Sequence, residues 1–246
     1  FEVSDWCVED PNVPGRMVCR NSCFNVRAGE VVGFAGLMGA GRTELMRSIF
    51  GHNYGLFKGG KVKLRGQELD LSSVSAAIKA GIAYVPEDRK NLGLNLLDSI
   101  RTTIVSANLK AILTGKLLDF NKELQAAKKS RADLLIKTSS VDAGVTTLSG
   151  GNQQKVVLGK WMFTEPEVLI LDEPTRGIDV GARHEIYQMM IDLTEQGKSI
   201  LMVSSDMEEL LGMSERIVVL YDGHQAGILS KNEFSQETIL TLASGL

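Results

Sequence analysis

Two short stretches carry residues whose types and spacing could do phosphate chemistry. The first, Gly36-Leu37-Met38-Gly39-Ala40-Gly41-Arg42-Thr43, follows the apolar run Glu30-Val31-Val32-Gly33-Phe34-Ala35 and precedes a helical pattern from Glu44 to Phe50. Strand, glycine loop and helix is the context in which backbone N–H groups curl around an anion and a helix N-terminus adds its partial positive charge. The spacing fits G-x-x-x-x-G-K-[ST] in all but one place, where Arg42 stands for the lysine. The second stretch, Val168-Leu169-Ile170-Leu171-Asp172-Glu173-Pro174, ends an apolar strand pattern in two carboxylates. In such a setting Asp172 can hold Mg²⁺ together with the hydroxyl of Thr43, and Glu173 can orient or deprotonate a water. A solvated strand end is the bland alternative, and the glycine loop upstream argues against it. Two buried carboxylates without a cation would repel each other, which itself points to a metal.

The elements that must position these residues are readable in outline. Residues 1–35 predict short strands around the turn Asp10-Pro11-Asn12-Val13-Pro14-Gly15. Lys61-Val62-Lys63-Leu64-Arg65 alternates as a strand does, and Gly81-Ile82-Ala83-Tyr84-Val85-Pro86 reads as a buried one ending in Glu87-Asp88-Arg89-Lys90. Residues from about 92 to 165 contain helical stretches such as Lys122–Ile136 and predict a helical subdomain inserted between strands. Arg183–Gln196 has Ile186, Met189, Met190 and Leu193 at helical spacing, with the methionines read as core. Ser199–Val203 is a second all-apolar strand, Asp206-Met207-Glu208-Glu209 resembles a capping box, and Asp222-Gly223 predicts a hairpin. A helix over about 236–243 closes the chain. Apolar strands alternating with helices imply an α/β fold with a mainly parallel sheet covered on both faces.

Composition removes several classes. At 246 residues and 43% hydrophobic, the chain has ample core, and its net charge of −3 argues against a nucleic-acid binder held by a basic face. Lys128-Lys129-Ser130-Arg131 is short and reads as a solvated helix face. Cys7, Cys19 and Cys23 are odd in number and lack C-x-x-C spacing, so a disulfide framework or zinc site is not expected and a reducing compartment fits. His52, His184 and His224 lie far apart, and Gln188 stands where a metalloprotease helix would place its second histidine. No apolar run reaches the roughly 18 residues that span a membrane. The first residue is Phe1, which leads to the expectation of a domain cut from a longer polypeptide.

Leu148-Ser149-Gly150-Gly151-Asn152-Gln153-Gln154-Lys155 resembles the L-S-G-G-Q signature of ATP-binding-cassette ATPases. It lies downstream of Gly36–Thr43 and upstream of Asp172-Glu173, in the order and approximate spacing of that family, and the resemblance covers the whole chain. It implies a single nucleotide-binding domain over residues 1–246 with a P-loop NTPase core, an antiparallel β region and the inserted helical subdomain. The implied ligands are ATP and Mg²⁺. Gly36, Gly39, Ala40, Gly41, Arg42, Thr43 and Glu44 are then candidates for nucleotide contact, with Ser149, Gly150 and Gly151 completing a second phosphate-facing helix terminus. Glu87 falls at the Q-loop position, Gly177-Ile178-Asp179 at the D-loop and Ser205 at the switch-histidine position. The implied metal set is Thr43, Asp172 and Glu87, and the implied catalytic set is Glu173 and Ser205.

Together, Val85-Pro86-Glu87-Asp88-Arg89, the variant signature and Asp172-Glu173-Pro174-Thr175-Arg176-Gly177 look like the second, C-terminal cassette of bacterial importers of the ribose, galactose and xylose type. The resemblance implies a second cassette in the same chain, membrane permeases, a periplasmic sugar-binding protein and a place on the cytoplasmic face of the inner membrane. Three departures share one site: Arg42 for lysine, Glu87 for glutamine and Ser205 for histidine. Arginine presents a planar fork where lysine presents a point charge, and serine is too short to stand in for the imidazole. Binding is expected to persist and hydrolysis to weaken. An aromatic for adenine stacking is hard to place, and Trp6 is the candidate. Two other readings compete: a soluble cassette protein working on DNA or ribosomes, which would need a basic face or large arm, and a regulatory nucleotide-binding half without turnover.

Overall fold

The computed structural model describes residues 1–246. In chain order the elements are β1 (Glu2–Glu9), β2 (Met17–Asn25), β3 (Val31–Gly36), α1 (Arg42–Ile49), β4 (Leu56–Leu64), β5 (Gln67–Glu68), α2 (Val74–Lys79) and β6 (Ile82–Val85). There follow α3 (Ile100–Val105), β7 (Leu113–Thr114), β8 (Leu117–Leu118), α4 (Phe120–Asp133), α5 (Gly150–Met162), β9 (Val168–Asp172) and α6 (Val180–Glu195). The chain ends with β10 (Ser199–Val203), α7 (Met207–Met213), β11 (Arg216–Tyr221), β12 (His224–Ser230) and α8 (Gln236–Ala243).

The chain divides into two compact units, the first made of Phe1–Tyr84, Glu167–Glu173 and Ile191–Leu246. Its sheet order is β5-β4-β1-β2-β12-β11-β3-β10-β9-β6. From β11 through β3 and β10 to β9 the pairing is parallel, and these are the strands whose sequences are nearly continuous apolar runs, as strands buried on both faces require. The other wing pairs antiparallel at β4 with β5, β1 with β4, β1 with β2, and β11 with β12 around Asp222-Gly223, while β12 meets β2 in a short parallel pairing at His224 and Arg20. The sheet is therefore mixed, and its parallel strands lead into the glycine loop and into Asp172-Glu173. Phe24 meets Phe34 edge-on with ring centroids 4.9 Å apart, and Leu45, Met46 and Ile49 of α1 are fully buried.

Register fixes the site. Phe34, Val203 and Asp172 lie opposite one another across β3, β10 and β9, so the loop after β3, Ser204-Ser205 after β10 and Glu173 after β9 all leave the sheet at one level. Glu173 N–H donates to Val203 O at 2.9 Å, which holds the strand end beyond the last ladder pair.

The second unit is Val85–Pro166 with Pro174–Met190, so the helical part recruits the first turns of α6 as well as the contiguous stretch. Ser99 caps α3 through Thr102 N–H, and Asp119 caps α4 through Asn121 and Lys122 N–H. Gly159 brings α5 close to α4, where an added Cβ would lie 3.1 Å from Leu134 Cδ1. Lys155, 3% exposed, donates to Leu135 O and pairs with Glu185 of α6 at 2.6 Å, which satisfies a buried ammonium. Between α3 and α4 the chain forms a two-residue antiparallel ladder, β7 with β8, where the sequence predicts helix; Gly115 at φ +64° turns it back.

Candidate active site

In the first unit the glycine loop leads into α1 through Gly41, whose φ of 96° is left-handed and which makes no side-chain cap. The first N–H groups of α1 are therefore left without a side-chain acceptor, as an anion-binding helix terminus needs. A Cβ on Gly41 would lie 2.4 Å from Val18 O, whereas nothing lies within 4 Å of one on Gly39. The loop is thus tight where it meets the sheet and open at Gly39. Glu44 stands half-buried in the first turn of α1.

Thr43 Oγ1 donates to Asp172 Oδ1 at 3.1 Å, and Tyr84 Oη donates to Asp172 Oδ2 at 2.8 Å. Asp172 is fully buried, and burial pushes its pKa up to about 6 even though the Tyr84 and Thr43 bonds oppose that rise. Glu173 has a left-handed backbone at φ 50°, which turns its side chain off the strand end. Its Oε2 accepts from Ser205 Oγ at 3.0 Å, and its Oε1 lies 3.9 Å from Arg42 Nη2. Arg42 Nη1 donates to Ser204 O at 2.7 Å.

Five residues chosen from sequence, Arg42, Thr43, Asp172, Glu173 and Ser205, thus come together in one unit. Two expectations need amending. The carboxylate pair is not without a cation, because Arg42 faces Glu173, so mutual repulsion alone does not demand a metal. Trp6 is 2% exposed, donates its indole N–H to Ser48 Oγ at 2.9 Å and packs against Phe57, so it is core and cannot stack on a ligand. The donor set of Thr43 and Asp172 still fits a hard divalent cation, which commonly takes one or two carboxylates and leaves its other positions to water and phosphate. No group of three His, Cys, Asp or Glu side chains forms a cage made by protein alone.

The remaining candidates fall in the second unit. Ser149 caps α5 with its backbone, and its Oγ accepts from Asn152 Nδ2 at 3.0 Å while Asn152 Oδ1 accepts from Lys137 N–H at 2.8 Å. Gly150 and Gly151 form the first turn, and a Cβ on Gly151 would lie 2.3 Å from Ala182 Cβ, so the helix start is packed against α6. Glu87 is ion-paired to Arg176, and Arg89 donates to Arg176 O at 3.0 Å.

Tyr84 and Ser204 are the site residues that sequence reasoning misses. A hydroxyl in an otherwise apolar strand, three positions before the charged run 87–90, is the signal that could have marked Tyr84.

The ABC transporter family profile matches residues 19–176. The chain belongs to that family. Over 98% of its length it is 50% identical to the L-arabinose transport ATP-binding protein AraG of Geobacillus stearothermophilus, covering 47% of that protein. It is 45% identical to the xylose import ATP-binding protein XylG of Thermoanaerobacter pseudethanolicus over 100% of this chain and 48% of that one. It is 47% identical to a ribose import ATP-binding protein RbsA of Bacillus cereus over 99% and 49% of the two chains. The cassette therefore spans about half the length of the curated relatives it matches. Its fold is that of a dimeric bacterial ABC transporter cassette, with TM-score 0.78, 20% identity and 95% and 99% of the two chains covered. A nucleotide-free cassette of the same family superposes with TM-score 0.80 at 16% identity over 100% and 98%.

Proposed function

We propose that this cassette is an ATP-binding part of a bacterial importer for a simple sugar, and that it binds Mg-ATP and couples its hydrolysis to transport. The observation that carries the reading is the convergence of Thr43 and Asp172, with Glu173 and Ser205 beside them, where the glycine loop enters α1. The sugar-import relatives support the substrate class. The reading includes a second cassette, placed in the same chain, membrane permeases and a periplasmic sugar-binding protein, and it puts the cassette peripherally at the cytoplasmic face of the membrane. No helix here is long and apolar enough to cross a membrane.

In this reading the loop from Gly36 to Thr43, Arg42 and the first turn of α1 hold the phosphates. A bound Mg²⁺, taken by Thr43 and Asp172, would neutralise charge on the transferring phosphoryl group. Glu173 orients the attacking water and accepts its proton, and Ser205 holds that carboxylate. Ser149, Gly150 and Gly151 are assigned to the nucleotide of a partner cassette, on the resemblance. Glu87 is assigned to the metal because its carboxylate, at the Q-loop position that the resemblance implies, would be a harder oxygen ligand than an amide, and in this structure it is paired with Arg176.

We further infer that turnover in this cassette is weak. The Arg42 fork engages both Ser204 O and the Glu173 carboxylate, and so ties the cation that must also serve the phosphates to the catalytic base. ATP titration with and without Mg²⁺ and single-turnover hydrolysis in wild type and Glu173→Gln test both parts. Protein that binds no Mg-ATP overturns the first; rapid Glu173-dependent hydrolysis overturns the second.

A further inference from the structure

The Asp172 carboxylate is fully withdrawn from water, so each of its oxygens needs a donor. Thr43 serves Oδ1, and Tyr84 serves Oδ2 with the shorter bond, 2.8 Å against 3.1 Å. Both hydroxyls donate, which leaves lone pairs on Thr43 Oγ1 and on both carboxylate oxygens for a cation. Tyr84 is itself 5% exposed, and its ring packs on Phe50 with centroids 5.6 Å apart. Phe50 directly follows α1, the helix that carries Thr43 near its start. One tyrosine therefore touches the end of the helix that carries the hydroxyl ligand and bonds the carboxylate ligand on β9. The hydroxyl cannot swing away, because the packed ring fixes it, and the carboxylate cannot rotate without losing it.

We propose that Tyr84 is a positioning residue of the metal site: its hydroxyl locks the Asp172 carboxylate so that a divalent cation taken by Thr43 and Asp172 meets oxygens already aligned. This rests on the reading of the first unit as a Mg-ATP site. It deepens that reading by naming the residue outside the ligand set that tunes metal affinity. Partners of this kind commonly set metal affinity by about 10–100-fold.

The test uses the intact protein, MgCl₂ and a fluorescent trinitrophenyl-ATP. Tyr84→Phe keeps the ring and removes only the hydroxyl. The Mg²⁺ concentration at half-maximal enhancement of nucleotide binding should rise about tenfold or more, with affinity in EDTA within about twofold of wild type. In an Asp172→Asn background the same substitution should move the midpoint by less than about twofold, because the carboxylate it positions is gone. A Tyr84→Phe protein with an unmoved Mg²⁺ midpoint and a lowered Tm shows a tyrosine that only fills the core, and overturns the inference. If Tyr84→Phe is too unstable to assay, wild-type protein made with 3-fluorotyrosine takes its place; its more acidic hydroxyl must shift the midpoint by about twofold or more, and no shift overturns the inference. Wild-type protein that binds no nucleotide under any condition overturns the Mg-ATP reading itself. Wild-type protein whose Mg²⁺ dependence vanishes in Asp172→Asn but survives unchanged in Tyr84→Phe overturns only the role of Tyr84.

Discussion

Ser205 donates its hydroxyl to Oε2 of Glu173 at 3.0 Å, so a serine on the loop after β10 holds the carboxylate that follows β9. A serine is too short to reach as far as an imidazole, and here its reach is used on the side chain next to it. Ser205→Ala should therefore lower the ATP turnover number by about tenfold, the loss of one charge-assisted hydrogen bond of about 1.5 kcal/mol, with little change in KM. Steady-state kinetics of the two proteins checks this; an unchanged turnover number would mean that Glu173 needs no support from Ser205.

Arg42 gives the opposite sign. Its fork spans Ser204 O and the Glu173 carboxylate, and a lysine ammonium cannot serve both. Arg42→Lys should free Glu173 and raise single-turnover hydrolysis about tenfold, while ATP affinity stays within about threefold. A slower Arg42→Lys protein would show that the arginine assists the chemistry it is inferred to restrain.

The loop glycines separate folding from binding. Gly41→Ala combines a left-handed φ with a Cβ 2.4 Å from Val18 O, and should cost about 2–3 kcal/mol in urea unfolding. Gly39→Ala meets no neighbour at φ +80° and should cost about 1 kcal/mol of stability, yet weaken ATP binding, because the methyl occupies the open side of the loop. Equal stability losses at both positions would refute the contrast.

Much of this site is legible in the chain. The apolar runs at 31–36, 168–172 and 199–203 give the parallel strands, because strands buried on both faces leave no polar alternation to confuse the pattern. Arg42 and Glu173 are legible as residues but not as a pair, since no local rule brings together residues 131 positions apart that follow β3 and β9, strands with β10 between them. Tyr84 reads as core because tyrosine is common in strands and its hydroxyl partner is set by register alone. The cap at Asp206 forms as predicted, but its own N–H donates to Ser204 Oγ, a tertiary choice that sequence pattern does not carry. The two-segment second unit is hidden because α6 is one continuous helical pattern, whereas its packing changes at Met190.

Stability should depend on pH through Lys160. Burial lowers its pKa from 10.5 to about 8, although it donates to Gly93 O and lies 4.9 Å over the Trp161 ring. Below about pH 8 the ammonium is charged in both states and the folded protein bears the desolvation cost. Between about 8 and 10.5 the unfolded chain holds the extra proton, so this group's contribution to stability rises with pH. Wild type should therefore gain about 1–3 kcal/mol relative to Lys160→Met between pH 7 and pH 10 in urea titrations. A difference between the two proteins that does not vary with pH would exclude a strongly shifted Lys160.

Glu173 occupies a left-handed corner that a non-glycine residue enters at a cost of about 1–2 kcal/mol. A lineage selected for folding alone would place glycine or asparagine there, where the backbone relaxes without loss of the sheet. The glutamate is thus a standing load on the fold, which the proposed use of its carboxylate would offset. In a descendant in which a partner took over all turnover, position 173 would be the first of the site's carboxylates free to drift, and the drift would make the domain more stable. Asp172, tied to Thr43 and Tyr84 on a regular strand, would be held in place far longer by the packing around it.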